Sequence, residues 1–299
     1  MMMIKMYFIF CMFGSLYLKY ICMKQFCKLL VFLVVIFQVL SCDKKKTDIA
    51  IKKFESNKTS DKAAIVKVNN EVDDFSFPVD STLQVKILRT EVFHNDEVEQ
   101  NFDKKVWFGL FKKDNVYTLS QTQVFIKSVN DPIVDENEED KTGWEVTTSI
   151  KDTCIVLIEK KPYLSNREVW NIKVPANLAD NEDFEFNYKN IEYTLFALVK
   201  KRKERVDSEW IEVSDYSLYL RAYENGKETK TLLVAKKNID ERFIEIVFAG
   251  DIDGDGKLDL IIDTSNHYNV SSPTLYLSKP ASEEKKIIKP VGVFTTVGC

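Results

Sequence analysis

From about Phe77 onward the chain is a succession of short runs of β-branched and aromatic residues, regularly spaced and broken by Asp, Asn, Gly and Pro. Such side chains suit a pleated, half-buried surface, and no stretch keeps a 3.6-residue period, so the sequence predicts a mainly β fold. Strands are expected at 82–88, 105–111, 116–129 as one long run, 144–149, 154–160 and 168–174. A second set is expected at 184–188, 191–201, 215–223, 230–236, 243–249, 258–263, 274–278 and 291–296. Asn225-Gly226 can both take positive φ, which predicts a tight antiparallel hairpin there. Runs such as IVFA and LDLII are apolar on both faces, which places them centrally, covered on each side. The expected architecture is an antiparallel sandwich or two packed sheets, with Asp180-Asn181-Glu182-Asp183 the candidate divide between two sub-domains.

The first 41 residues are a different material: four lysines, no acid, and all six methionines at or before Met23. Starting at Met23, a short basic stretch with Lys24 and Lys28 precedes the apolar run Leu29–Leu40 and then Ser41-Cys42. Twelve apolar residues fall short of the about 20 that a helix needs to span a bilayer, which predicts a signal peptide over 1–41. Val39-Leu40-Ser41-Cys42 resembles the lipobox of bacterial lipoproteins. The resemblance implies that Cys42 is diacylated and becomes the mature N-terminus, with the membrane as partner through a lipid anchor. Residues 1–22 are apolar but add nothing such a peptide needs, which a start codon called too early explains; a first membrane segment is the alternative. Residues 42–76 are charged and poor in large apolar groups, so they read as a flexible tether. Asp43 and the lysines after it follow neither an inner-membrane retention rule nor a surface-export rule, and periplasmic and surface-exposed locations at the envelope both stay open.

One motif carries chemistry. Residues 251–259 read Asp251-Ile252-Asp253-Gly254-Asp255-Gly256-Lys257-Leu258-Asp259, with carboxylates at positions 1, 3, 5 and 9. Calcium takes about six to eight oxygens, and alternate Asp side chains on a tightly curled loop converge on one centre. Gly256 stands at the sixth position, where the sharp turn favours a residue without Cβ, and the Lys257 carbonyl would supply the seventh-position oxygen. An EF-hand would place Glu at position 12, whereas here it is Ile262, and both flanks are strand-like. Strand, DxDGDGxxD loop and strand, followed by TLYLS, resemble the FG-GAP or VCBS type of calcium-binding repeat. That resemblance implies one Ca2+ held by Asp251, Asp253, Asp255 and Asp259 with the Lys257 carbonyl, within a C-terminal segment at 240–299. The motif occurs once, so a full propeller is not expected.

Beyond the leader, 38 basic residues stand against 46 acidic, a net charge of 38 − 46 = −8, which argues against nucleic acid as a partner. The mature chain contains no GxSxG, HExxH, CxxC or phosphate-binding glycine loop. Of its two histidines, His267 in the polar loop after the motif is the better functional candidate than His94, with hydrogen bonding to the turn backbone as its plainer role. Cys154 and Cys299, exported to an oxidising compartment, form a candidate disulfide. The expectation is a non-enzymatic, calcium-stabilised β-domain anchored at the bacterial cell envelope and binding an envelope protein or a glycan there. An exported hydrolase acting on polysaccharide or peptide is the alternative.

Overall fold

The apolar runs become strands almost throughout. The computed structural model describes residues 76–298, apart from 95, 181, 204–210 and 240–242, and only the backbone of 202, 203, 211 and 212. Strands β1 (Ile87–Leu88), β2 (Val92–Phe93), β3 (Trp107–Lys113), β4 (Val116–Thr122), β5 (Val124–Val129), β6 (Gly143–Thr148), β7 (Thr153–Glu159) and β8 (Arg167–Val169) come first. They form a sheet ordered β1-β7-β3-β4-β8 and a smaller one ordered β2-β6-β5. Long strands follow, β9 (Asp183–Tyr188), β10 (Ile191–Lys203), β11 (Ile211–Glu224) and β12 (Lys227–Ile239), paired in the order β12-β11-β10-β9. The C-terminal segment supplies β13 (Glu245–Gly250), β14 (Asp259–Asp263), β15 (Val270–Ser271), β16 (Pro273–Leu277), β17 (Lys289–Val293) and β18 (Thr296–Val297). Of these, β13-β14-β16-β17 make a sheet and β15 pairs with β18. Every ladder is antiparallel, and among the described residues no barrel or propeller closes.

The C-terminal sheet is the middle layer. Ile261, Leu275 and Leu277 pack with Trp107, Leu110 and Leu157 of the first sheet. Their neighbours Leu260, Ile262 and Tyr276 point the other way, into the cluster formed by Tyr193, Leu195, Leu218 and Leu233 of the long strands. All five residues of β14 and all five of β16 are buried. The two-faced apolar character of LDLII is thus the mark of a sheet covered on both sides, where each buried Leu or Ile is worth about 1.5–3 kcal/mol of transfer free energy. The sandwich has three layers rather than two. Fully buried Tyr276 adds a polar tie between layers, its hydroxyl donating to the Leu233 carbonyl at 2.7 Å.

The strand expected at 82–88 is reduced to Ile87–Leu88, and two other departures from the sequence reading follow from partners distant in the chain. The run expected as one strand over 116–129 is two, broken at Gln123, whose N–H and carbonyl turn aside to Ser149 (Oγ at 3.2 Å, N at 3.0 Å). By that break β4 stays with β3 while β5 pairs with β6. The expected strand at 168–174 keeps only Arg167–Val169 in its first sheet. Beyond it the chain crosses to β13, where Ile172 N donates to the Ala249 carbonyl at 2.8 Å.

The Asn225-Gly226 hairpin forms as read, with φ of 52° and 76° between paired Glu224 and Lys227. A second tight turn, at Lys189-Asn190 with φ of 46° and 66°, joins β9 to β10. It carries no glycine, although the strands expected at 184–188 and 191–201 leave the same two residues between them.

Candidate metal centre

The carboxylate motif is the connection between β13 and β14, whose last and first residues, Gly250 and Asp259, are partners in the ladder. Two glycines let the loop curl, Gly254 at φ 76° and Gly256 at φ 89°, where a side chain would be strained. Gly254 is doubly constrained, because a Cβ there would sit 1.3 Å from an Arg167 guanidinium nitrogen. Asp251 closes the curl from within, accepting Gly254 N at 2.7 Å and Gly256 N at 3.0 Å. Asp255 accepts Lys257 N at 2.8 Å in the same manner.

Of the four carboxylates read from the spacing, the fold brings three together. Asp251, Asp253 and Asp259 are all buried, and one oxygen of each lies within 4.8 Å of the others, an arrangement able to hold a metal ion. Asp255 stands outside this trio and is exposed. It is linked to the group through Ser278, whose hydroxyl lies 2.9 Å from both Asp255 Oδ1 and Asp259 Oδ1 with a single proton to give. Lys257 is half-exposed.

The spacing did not reveal the second role of Asp259. Its Oδ2 accepts the N–H of Ile252 at 2.7 Å and of Asp253 at 2.9 Å, and its Oδ1 accepts Ser278 N at 2.7 Å. This fully buried carboxylate therefore pins the loop to the end of β16 before any ion is considered. Asp253 makes a parallel tie, its Oδ2 accepting Lys279 N at 2.9 Å.

Two cations contributed by distant segments were also invisible in the motif. Lys189, at the tip of the β9–β10 hairpin, reaches Asp251 Oδ2 at 3.1 Å, and this contact raises the lysine pKa above its ordinary value. Arg167 lies against Gly254, with its Nε and Nη2 buried and without hydrogen-bond partners. The four carboxylates thus face two cations from elsewhere in the chain, Lys189 and Arg167, besides Lys257 of the loop itself. Burial, reinforced by the charges of Asp255 and Asp251, pushes the Asp253 carboxyl up to about 6. Asp259 is raised well above the usual carboxylate range, first by burial and then by Asp253. Crowded, desolvated carboxylates of this kind take up either protons or a cation.

Lys189 competes for the same oxygen an ion would use. Its side chain is 53% exposed, so the pair is worth at most about 1 kcal/mol, and Lys189→Met is expected to tighten ion binding by about two- to fivefold in calorimetric titration. Unchanged or weaker binding would show that Lys189 supports the loop rather than competing.

The remaining candidates are placed as follows. His267 Nδ1 accepts the N–H of Asn269 at 3.1 Å, and its ring stacks on Tyr268, so it braces its own turn. His94 Nδ1 pairs with Asp131 at 2.5 Å. Cys154 lies in β7, and burial pushes its thiol up to about 12, which suppresses the reactive thiolate. Cys42 and Cys299 lie outside the described residues.

The fold and site together define a layered β-domain with a buried carboxylate trio able to hold a metal. No family model, curated protein or solved structure matches the chain.

Proposed function

We propose that the chain is a lipid-anchored protein of the bacterial cell envelope whose non-enzymatic β-domain holds one structural calcium ion and presents a binding surface for an envelope protein or a glycan. The observation that carries the reading is the convergence of Asp251, Asp253 and Asp259 within 4.8 Å in a buried loop. Calcium suits it better than magnesium, because the loop offers flexible carboxylates, whereas magnesium demands near-octahedral geometry and gives up water reluctantly. Asp251, Asp253 and Asp259 would be the main ligands, through lone pairs left over from the backbone N–H groups that each of them accepts; Asp255 and the Lys257 carbonyl would complete the shell from the open side. A dissociation constant of about 0.1 to 1 mM fits an extracellular module, filled outside the cytosol.

The role of such an ion here is mechanical. The loop ties β13 and β14 of the middle layer to β16 through Ser278, so fixing it stiffens the sheet on which both cores rest. The anchor reading is supported by the leader sequence ending at Cys42. Its test is membrane fractionation of the tagged full chain and of Cys42→Ala. The wild type should partition with membranes at mature length, and the variant should accumulate as unprocessed precursor or be released. A variant that remains membrane-bound at mature length overturns the anchor.

A further inference from the structure

A cavity of about 240 Å3 opens beside the metal loop, between the Asn225-Gly226 hairpin and the 3-10 turn at Lys279–Glu284. Its floor is apolar and fixed: Ile191, Tyr193, Ala222 and Ile287 are all buried in the core shared by the middle and long-strand sheets. Its rim is basic. Lys227 comes from the start of β12, Lys257 from the metal loop, and Lys285 and Lys286 from the end of the 3-10 turn, with Glu224 the one acid in the lining. Lys286 is matched by Glu284 at 2.7 Å. The side-chain ammonium groups of Lys227, Lys257 and Lys285 make no ion pair or hydrogen bond among the described residues. Three uncompensated lysines against Glu224 give a local charge of 3 − 1 = +2.

We propose that this cavity binds a phosphate monoester carried on a small polar group such as a single sugar. The sign of the charge is opposite to that of the mature chain, which is −8, so four lysines from three separate segments facing one cavity do not reflect a basic protein. A monoester carries about −1.5 to −2 at neutral pH and matches the surplus, while a diester headgroup carries half as much. Lysines recognise phosphoryl oxygens as point charges, and the lining holds four of them. Thr229 on the wall adds a hydroxyl donor, while the Ser282 hydroxyl already donates to the Lys279 carbonyl at 2.7 Å. The volume is below the about 300 to 1,000 Å3 of pockets for drug-sized ligands, which limits the occupant to one small group. The buried floor of Tyr193 and Ile191 provides a dry base against which a sugar face can rest.

The test titrates the full-length protein in detergent with a hexose 6-phosphate, with the unphosphorylated hexose and with glycerophosphoglycerol, a diester that stands for a lipid headgroup. Each titration is run once in chelator and once in calcium, so that the outcome is separable from that of the metal site. The monoester should bind, its affinity should fall with salt, and both neutral hexose and diester should bind at least about tenfold more weakly. Substituting Lys227→Ser and Lys285→Ser together should weaken monoester binding by at least about tenfold with an unchanged melting temperature, since both residues are exposed and lie outside the metal loop. Lys113→Ser and Lys160→Ser, exposed lysines elsewhere, should leave it unchanged. The proposal is overturned by no monoester binding in either condition, by equal binding of the diester, by undiminished binding in the first double variant, or by equal loss in the second.

Discussion

Replacing Asp259 by alanine is expected to destabilise the domain by about 3 to 5 kcal/mol, and to do so as fully in chelator as in calcium. The variant removes a buried carboxylate whose oxygens accept three backbone N–H groups, those of Ile252, Asp253 and Ser278, and lie 2.9 Å from the Ser278 hydroxyl. Those donors are left without partners where water cannot reach them, and each such group costs about 1–3 kcal/mol. Asp259→Asn should recover little, because an amide nitrogen cannot accept from the N–H groups it would face on one side. The measurement is equilibrium unfolding in urea with and without calcium. If the loss appears only when calcium is present, Asp259 acts as an ion ligand and not as the fastening between the loop and β16.

The second large effect is the ion's own. Saturating calcium, at about 100 times its dissociation constant, is expected to stabilise the fold by about 2.7 kcal/mol, which for a domain of this size raises the melting temperature by about 5 to 10 °C. The increment should depend on pH with a definite sign. In the ion-free protein the Asp253 carboxyl is raised from 3.8 to about 6, so the native state keeps a proton that the unfolded chain has already released. That proton's contribution to stability is fully present below about pH 4 and is lost as pH rises through about 6. Calcium supplies the missing positive charge in its place, and it binds only where the proton has left. The difference in melting temperature between calcium and chelator should therefore be small at about pH 5 and complete by about pH 7.5. Asp253→Ala combined with Asp255→Ala should abolish it at every pH. Identical melting of the wild type in calcium and in chelator at neutral pH, together with a flat calorimetric titration at millimolar ion, would leave the loop as a hydrogen-bonded turn only.

What the sequence by itself determined was local or periodic. Alternating and two-faced apolar runs specify strands and how many of their faces are covered, which is why LDLII could be read as covered on both sides without knowing its neighbours. Asn225-Gly226 dictates its turn because the constraint is backbone sterics within two residues. The alternation of Asp and Gly from 251 to 259 dictates a curled loop for the same reason, since each turn of the chain is closed by a carboxylate two to five residues from the N–H it accepts.

The tertiary structure alone decided which of those carboxylates share a site and what else surrounds them. Asp251, Asp253 and Asp259 are drawn inward because the end of β13 and the whole of β14 are buried, while Asp255, on the outer side of the curl, stays in solvent. Lys189 arrives from 62 residues away at the tip of another sheet's hairpin, and Ser278 from 19 residues away at the end of β16. The break at Gln123 likewise depends on Ser149, 26 residues further on. No periodicity records such meetings, because they follow from how three twisted sheets stack their apolar faces, and the polar groups at the rims meet wherever that stacking brings them.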